Sequence, residues 1–338
     1  MNANGTTVVK QDTVTTIRPD QASARPDIAA VVARWKGDPR TVVHVRDGEN
    51  AVYRFVAEGR PRILRLSETV HRSRDQLEAE LEFIRFVSCA GIALQSFAVA
   101  CPVASVDGAW VEAASTDGAT GTSWHAVAFE EASGRHFEFF SPDIDRPLFL
   151  KWGRALGALH SISREFRPRA ELRRPLWTEQ DGTRCDVAGV TPAETMALRE
   201  HDRLVEWLTR LPAPNEHWGL IHADFERTNF VLDGETLRVY DFDDACYHWY
   251  VADIAHALWV FRGAPPEDRT RFLDWFLEGY RERAGVVEDL LEDFSWFIRL
   301  RSLSLFVRRV RLRTSEGRRT DDAWEQRMRT AFETPYRW

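Results

Sequence analysis

The chain has 338 residues, 44% of them apolar and 29% charged, with a formal net charge of −7. That length suits two lobes better than one small core, and the acidic balance speaks against a general nucleic-acid binder, which carries a basic excess. Cys89, Cys101, Cys185 and Cys246 form no CxxC pair, no apolar run is long enough to cross a membrane, and the first residues lack the apolar stretch of a signal peptide, so a reduced, cytoplasmic protein is expected.

Residues 1–26 read as a loose polar arm by composition. TVVHV, AVYRFVA and RILRL follow, short and rich in β-branched or aromatic residues, with RDGEN and EGRP as the turns between them; they predict an antiparallel meander. In DQLEAELEFIRFVSCAG, Leu77, Leu81, Ile84 and Val87 recur at helical spacing and Gly91 is placed to stop the helix. Glu80 points with that apolar stripe. A carboxylate there either reaches water at the stripe's edge or meets a cation, because burying it alone is costly. CPVASVDG, AWVEAA and SWHAVAFEEA add further strands, so the front of the chain reads as a mostly antiparallel sheet with one long helix, an α+β arrangement.

FEEASGR, at 129–135, marks the expected boundary between a β-rich part, 27–130, and a helical part, 131–338. LFLKWGRALGALHSIS places Leu148, Trp152, Leu156 and Leu159 on one face, with Gly153 and Gly157 allowing close packing. TPAETMALREHDRLVEWLTRLP, VADIAHALWVFRG, RTRFLDWFLEGYRERAG and EDLLEDFSWFIRLRSLSLFVRRVRLR are further helices. In the last of these, Leu303, Phe306, Val307 and Val310 form an apolar side, and Arg301, Arg308 and Arg309 are read as a solvated basic face. No histidine pair stands at a metal-binding spacing such as HExxH.

Chemistry concentrates in GLIHADFERTNFVLDGETLRVYDFDDA, which parses as a short strand, a loop, and a hairpin turning at Asp233-Gly234. Asp224 and Asn229 stand at the two ends of the loop, and Asp241 ends the returning strand. Carboxylate and amide oxygens converging there would suit Mg²⁺, which takes one or two protein carboxylates and completes its shell with phosphate and water. His222 to Asn229 has the form HxDxxxxN, the spacing of a kinase catalytic loop, and Asp241-Phe242-Asp243 stands where kinases place DFG.

With HADFERTN and YDFDDA, LGALHSIS and VADIAHAL, the chain resembles the aminoglycoside phosphotransferase and choline kinase-like family from about residue 30 onward. The resemblance implies a bilobal protein-kinase-like fold, with an antiparallel β-sheet N-lobe carrying one long helix and a mainly helical C-lobe. It implies Asp224 as catalytic base, Asn229 and Asp241 as Mg²⁺ ligands, and His222 and Asp253 as braces of the loop. ATP or GTP would be the phosphate donor, with Phe129, Glu130 and Glu131 as the purine-binding hinge. The phosphate-covering hairpin HVRDGENAVYRF lacks GxGxxG and offers only Gly48 and Asn50 as turn formers. Arg65 stands where a lysine is expected, which makes Glu80 its partner; arginine binds phosphate as a fork and is not equivalent to lysine.

Only eleven residues separate Asp241 from Asp253, too few for the long segment on which protein kinases dock polypeptides. A small hydroxyl-bearing acceptor, cationic by the charge balance, is therefore expected, with Glu226, Asp243, Asp244, Tyr247, Trp249, Tyr250 and RRPLWTEQDG as candidates around it. The rival readings are a stress-type Ser/Thr protein kinase of the same family, a nucleotide-binding pseudokinase scaffold and a metal-dependent hydrolase. Nucleic acid and membrane partners are not expected.

Overall fold

A computed structural model describes residues 25–94, 97–116, 123–137, 145–180, 191–285, 288–315 and 322–332. Most of the polar arm and Cys185 lie outside them. Arg25, assigned to the loose arm, is instead fastened, donating to Asp47 Oδ1 at 2.6 Å and to Tyr53 Oη at 2.9 Å. Asp27 then caps a short helix that the strand pattern did not announce, α1 (Ile28–Ala33), accepting the Ala29 N–H at 3.0 Å.

The expected meander forms from β1 (Gly37–Asp47), β2 (Asn50–Ala57) and β3 (Arg60–Glu68). β1 starts at Gly37, ahead of the TVVHV stretch, and bulges between His44 and Arg46. The long helix α2 (Arg74–Leu94) runs through Gly91, so that glycine does not stop it. β4 (Ala98–Val99), β5 (Pro102–Val103), β6 (Glu112–Ser115) and β7 (Ser123–Glu130) follow. The main sheet has the order β1-β2-β3-β7-β5, with β6 also on β7, and all its pairings are antiparallel.

Strand alternation gives this sheet two different faces. Leu64, Leu66, Ala126 and Ala128 pack with Phe55 and with Val31 and Val32 of α1. Val127 turns the other way, toward Leu77, Leu81 and Ile84 of α2. Arg65 lies between Leu64 and Leu66, so it also faces α2, where Glu80 stands.

The back of the chain is mainly helical: α3 (Arg146–Glu165), α4 (Pro192–Thr209), α5 (Tyr250–Leu258), α6 (Pro266–Arg281), α7 (Glu288–Glu292), α8 (Phe294–Ser315) and α9 (Asp322–Phe332). Asp145 caps α3, and a Thr191–Glu194 capping box starts α4. The long last pattern breaks at Asp293 into α7 and α8. Among these helices lie β8 (Trp218–Ile221), the hairpin β9 (Phe230–Asp233) and β10 (Thr236–Val239), and β11 (Cys246–Trp249), which pairs with β8 and was not anticipated. β4 runs parallel to β10, so it belongs with the hairpin and not with the main sheet.

Gly153 and Gly157 do what their spacing implied. A Cβ at Gly153 would overlap the Phe276 carbonyl of α6, and one at Gly157 would press on the Tyr280 carbonyl. Backbone cannot retreat as a side chain can, so Gly153→Ala is expected to destabilise the fold by about 2–3 kcal/mol. Urea denaturation of wild type and variant measures this; equal midpoints would mean α3 and α6 can separate freely.

Candidate active site

β8 ends at Ile221, and the chain then turns through Ala223 in the left-handed region, φ 65°. That conformation costs a β-carbon residue about 1–3 kcal/mol and persists only where surroundings hold it. Here they do. The fully buried Asp253 carboxylate accepts the N–H groups of His222 and Ala223, each at 2.9 Å. The His160 ring bonds the same carboxylate at 3.0 Å and Tyr280 Oη at 2.7 Å. His256 donates from Nδ1 to the Ala223 carbonyl at 2.7 Å, and Trp152 Nε1 donates to the Phe225 carbonyl at 3.0 Å. His222 is buried against Phe225 and Phe242 and accepts the Asp224 N–H at its Nδ1.

The loop so held ends in a turn of 3-10 helix, Arg227–Asn229. Asn229 Nδ2 donates to the Asp224 carbonyl at 2.8 Å and to Asp224 Oδ2 at 2.7 Å. Tyr240 N–H donates to the Asn229 carbonyl at 3.0 Å, which brings Asp241 beside the loop. Asp241 also adopts a left-handed backbone, φ 67°. Asn229 has spent its nitrogen on Asp224, so its carbonyl oxygen is the end left for a cation. With the Asp241 carboxylate that makes two hard oxygen donors, a set that fits Mg²⁺ bound together with phosphate. No group of three or more His, Cys, Asp or Glu gathers as a metal site among the described residues.

Arg65 and Glu80 form a buried two-pronged ion pair at 2.9 and 2.7 Å. Burial works against the guanidinium's charge, but Glu80 first and Asp243 next hold its pKa above the ordinary arginine value. The pair lines a cleft of about 370 Å³ between the main sheet and the hairpin, together with Val52, Ile63, Ile84, Phe129, Phe242 and Asp241. Glu130 and Glu131 border the cleft too, although the Glu130 N–H is already spent on the Cys101 carbonyl at 2.8 Å. Gly48 and Asn50 are not among the residues lining it. The Asn50 amide instead receives Ser67 Oγ and reaches Asp243 at 3.2 Å. From the same sheet Arg46, which its motif did not single out, donates to Asp241 Oδ2 at 2.7 Å.

Asp243 is buried, and Arg72 grips it at 3.0 and 3.2 Å. Burial alone would raise its pKa, but Arg65 and Arg72 overcome that and hold it well below the usual carboxylate range. It is therefore more than an ordinary turn residue. Arg174 bonds the backbone carbonyls of Asp243 and Ala245 and so fixes the turn after Asp241. Asp243, Asp244, Arg72, Arg174 and Trp177 line a second cavity, polar and of about 220 Å³, on the other side of the site. Tyr247, Trp249 and Tyr250 are not among its lining residues; Trp249 and Tyr250 are core. Glu226 does not line it either, but lies 3.8 Å from Arg301. Burial, and then the Asp224 charge, push Glu226 and the more exposed Asp244 upward in pKa.

The largest departure from the sequence reading concerns α8. Arg301 is not on a solvated face; it pairs with Asp224 Oδ1 at 2.7 Å. Arg308 pairs with Glu49 at the tip of the β1–β2 hairpin, and Arg309 lies over the Trp324 ring at 4.5 Å. The apolar side is as expected, with Leu303, Phe306, Val307 and Val310 buried. Cys246 is buried, whereas Cys89 is exposed.

Residues 41–286 match the phosphotransferase enzyme family, APH, and the chain belongs to that family. It is 30% identical over 288 residues to amicoumacin kinase of Bacillus subtilis (strain 168), with 82% of each chain covered. It is also similar to a solved amicoumacin kinase in complex with AMP-PNP, Ca²⁺ and Ami: TM-score 0.79, 25% identity, 92% of this chain and 94% of that one covered. A microcompartment-associated aminopropanol kinase shares the fold at TM-score 0.67 and 23% identity, covering 91% and 94%. The protein-kinase-like fold and the small-molecule kinase class that the motifs implied are thus those of this chain.

The buried histidines predict an acid response. Burial first and Arg301 second hold His256 down to about 3. The unfolded chain, with its histidine near about 6.5, therefore binds the extra proton between those values, and stability falls with pH by about 1.4 kcal/mol per unit. His256→Asn keeps a donor toward the Ala223 carbonyl but cannot titrate. Denaturation at pH 6.5 and pH 5 is expected to cost wild type about 2 kcal/mol more than the variant; parallel losses would mean His256 is charged in the fold.

Proposed function

We propose that this member of the phosphotransferase enzyme family moves the γ-phosphate of ATP onto a hydroxyl of a small, amine-bearing acceptor, with Asp224 as base and Asn229 and Asp241 as Mg²⁺ ligands. The observation that carries this reading is that Asn229 bonds Asp224 and that the Tyr240 N–H to Asn229 carbonyl bond sets Asp241 next to that loop. Asp241 borders the apolar-walled cleft with Arg65, and Asp224 is joined through Arg301 to the polar cavity with Asp243 and Asp244.

The apolar cleft is suited to a purine, and Arg65 at its inner end to the phosphates; Glu80 keeps that guanidinium in place. Mg²⁺ would supply charge neutralisation for the phosphate oxygens. Asp224 would align the acceptor hydroxyl and take its proton as that oxygen forms the new bond to the γ-phosphorus and the bond to the β-γ bridging oxygen breaks, releasing ADP. Such chemistry is mainly positioning and charge stabilisation. The polar cavity would hold the acceptor. Asp224 lies 2.7 Å and Glu226 3.8 Å from one guanidinium, Arg301, and Asp244 lines the same cavity, so an ammonium group on the acceptor would relieve their repulsion. The relatives named for amicoumacin and aminopropanol support an acceptor of that kind. A polypeptide acceptor is disfavoured because β11 and the Arg174-held turn fill the span between Asp241 and Asp253. ATP as donor places the work in the cytoplasm.

The test is ADP release with Mg·ATP against amicoumacin, 1-amino-2-propanol and a set of aminoglycosides. One of them is expected to stimulate release. Asp224→Ala should lower that turnover at least about 100-fold while Mg·AMP-PNP still raises the melting temperature. Asp241→Ala should lose both. Equal loss of nucleotide binding in the two variants would reverse the roles given to them.

A further inference from the structure

Arg301 has no part in the reaction just outlined, yet it lies against the proposed base. It is on α8 with 13% of its side-chain surface exposed, 2.7 Å from Asp224 Oδ1 and 3.8 Å from Glu226. Asn229 holds the other oxygen, Oδ2, at 2.7 Å. Asp224 is thus gripped from two directions, by its own loop and by a helix 77 residues away in sequence. Two donors on the two oxygens fix the plane of the carboxylate, which a single donor would leave free to swing.

The helix that presents Arg301 is itself placed firmly. Ser302 accepts Trp259 Nε1 at 2.8 Å and donates to the Ile298 carbonyl at 3.0 Å, and Leu300 and Leu303 are buried on either side. Arg301, Ser304, Leu305 and Arg308 follow helical spacing and all line the polar cavity. The same stripe of α8 therefore forms a wall of the acceptor site and touches the base. Arg301 Nε is buried without a hydrogen bond, so the guanidinium's hydrogen bonding is directed through its terminal nitrogens.

We propose that Arg301 is a positioning residue for phosphoryl transfer: it locks the orientation of Asp224 and offsets the charge of Asp224, Glu226 and Asp244, so that the carboxylate meets the acceptor hydroxyl in one pose. This rests on Asp224 being the base. Arginine suits the task because its planar guanidinium stays charged when buried and presents Nη2 to Asp224 at 2.7 Å with Glu226 3.8 Å away. Arg301 is not among the residues lining the nucleotide cleft.

The experiment is a double-mutant cycle of Arg301→Gln and Asp224→Asn in the full chain, using the acceptor phosphorylated in the panel above. Arg301→Gln is expected to lower kcat about 100-fold, comparable to removing a preorganised donor. The KM for Mg·ATP and the AMP-PNP-induced rise in melting temperature should stay within error of wild type. In the Asp224→Asn background the same change should move residual turnover less than about twofold, because a residue acting through Asp224 has nothing left to act on. Arg301→Lys should recover about tenfold of the loss by restoring charge without the fork. Wild-type kcat in Arg301→Gln, or an equal loss in both backgrounds, overturns the proposal, as does a variant that weakens nucleotide binding alongside turnover. If Arg301→Gln does not fold, Arg301→Lys carries the same cycle. Full activity in Asp224→Asn alone, or no acceptor in the panel, brings down the underlying reading as well, whereas an inactive Asp224→Asn with a harmless Arg301→Gln brings down only this one.

Discussion

One buried carboxylate sets the geometry of the site. Asp253, at the first turn of α5, takes two consecutive backbone N–H groups, those of His222 and Ala223, and so bends the chain leaving β8 into a conformation that a β-carbon residue avoids. A carboxylate can accept several bonds at once, and His160 adds a third from α3. Removing it would leave two buried N–H groups unsatisfied, each costing about 1–3 kcal/mol. Everything catalytic in the proposal follows from this bend. It determines where Asp224 comes off the loop and where Asn229 can turn back to meet it.

Around the loop, the fold meets the cost of concentrated negative charge with arginines drawn from distant segments. Arg46 comes from β1, Arg65 from β3, Arg72 from the turn before α2, and Arg301 from α8; their partners are Asp241, Glu80, Asp243 and Asp224. Arg65–Glu80 is the fully buried pair of the four; such a pair adds little net stability when formed, but breaking one side costs about 3–5 kcal/mol. The value of these pairs here is geometric. Arg46–Asp241, Arg72–Asp243, Asn50–Asp243 and Arg308–Glu49 all connect the front of the chain to the back. The apolar cleft and the polar cavity are therefore aligned by the same groups that pair with the carboxylates. The Arg65–Glu80 pair shows how an arginine can stand at a lysine's place: alternation along β3 aims it at α2, and the two-pronged grip on Glu80 fixes a longer side chain that would otherwise wander.

Sequence by itself determined what short-range pattern can encode. Period-2 alternation gave the meander, and helical spacing gave α2, α3 and the apolar side of α8, because both are backbone repeats that read out within a few residues. HxDxxxxN and the strand-end Asp241 lay within one supersecondary unit, so their convergence could be inferred from a strand, a loop and a hairpin. Glu80 betrayed itself as a charge on an apolar stripe. Tertiary structure alone decided the partners. Arg301 has the sequence signature of an exposed helical cation, and only the packing of α8 against the loop after β8 turns it onto Asp224. Asp243 resembles a turn residue until Arg72, 171 positions away, closes on it. Gly91 looked like a stop, but α2 continues through it. Ion pairs and close packing join positions with no sequence relation, and their direction depends on how elements dock, which no local periodicity carries.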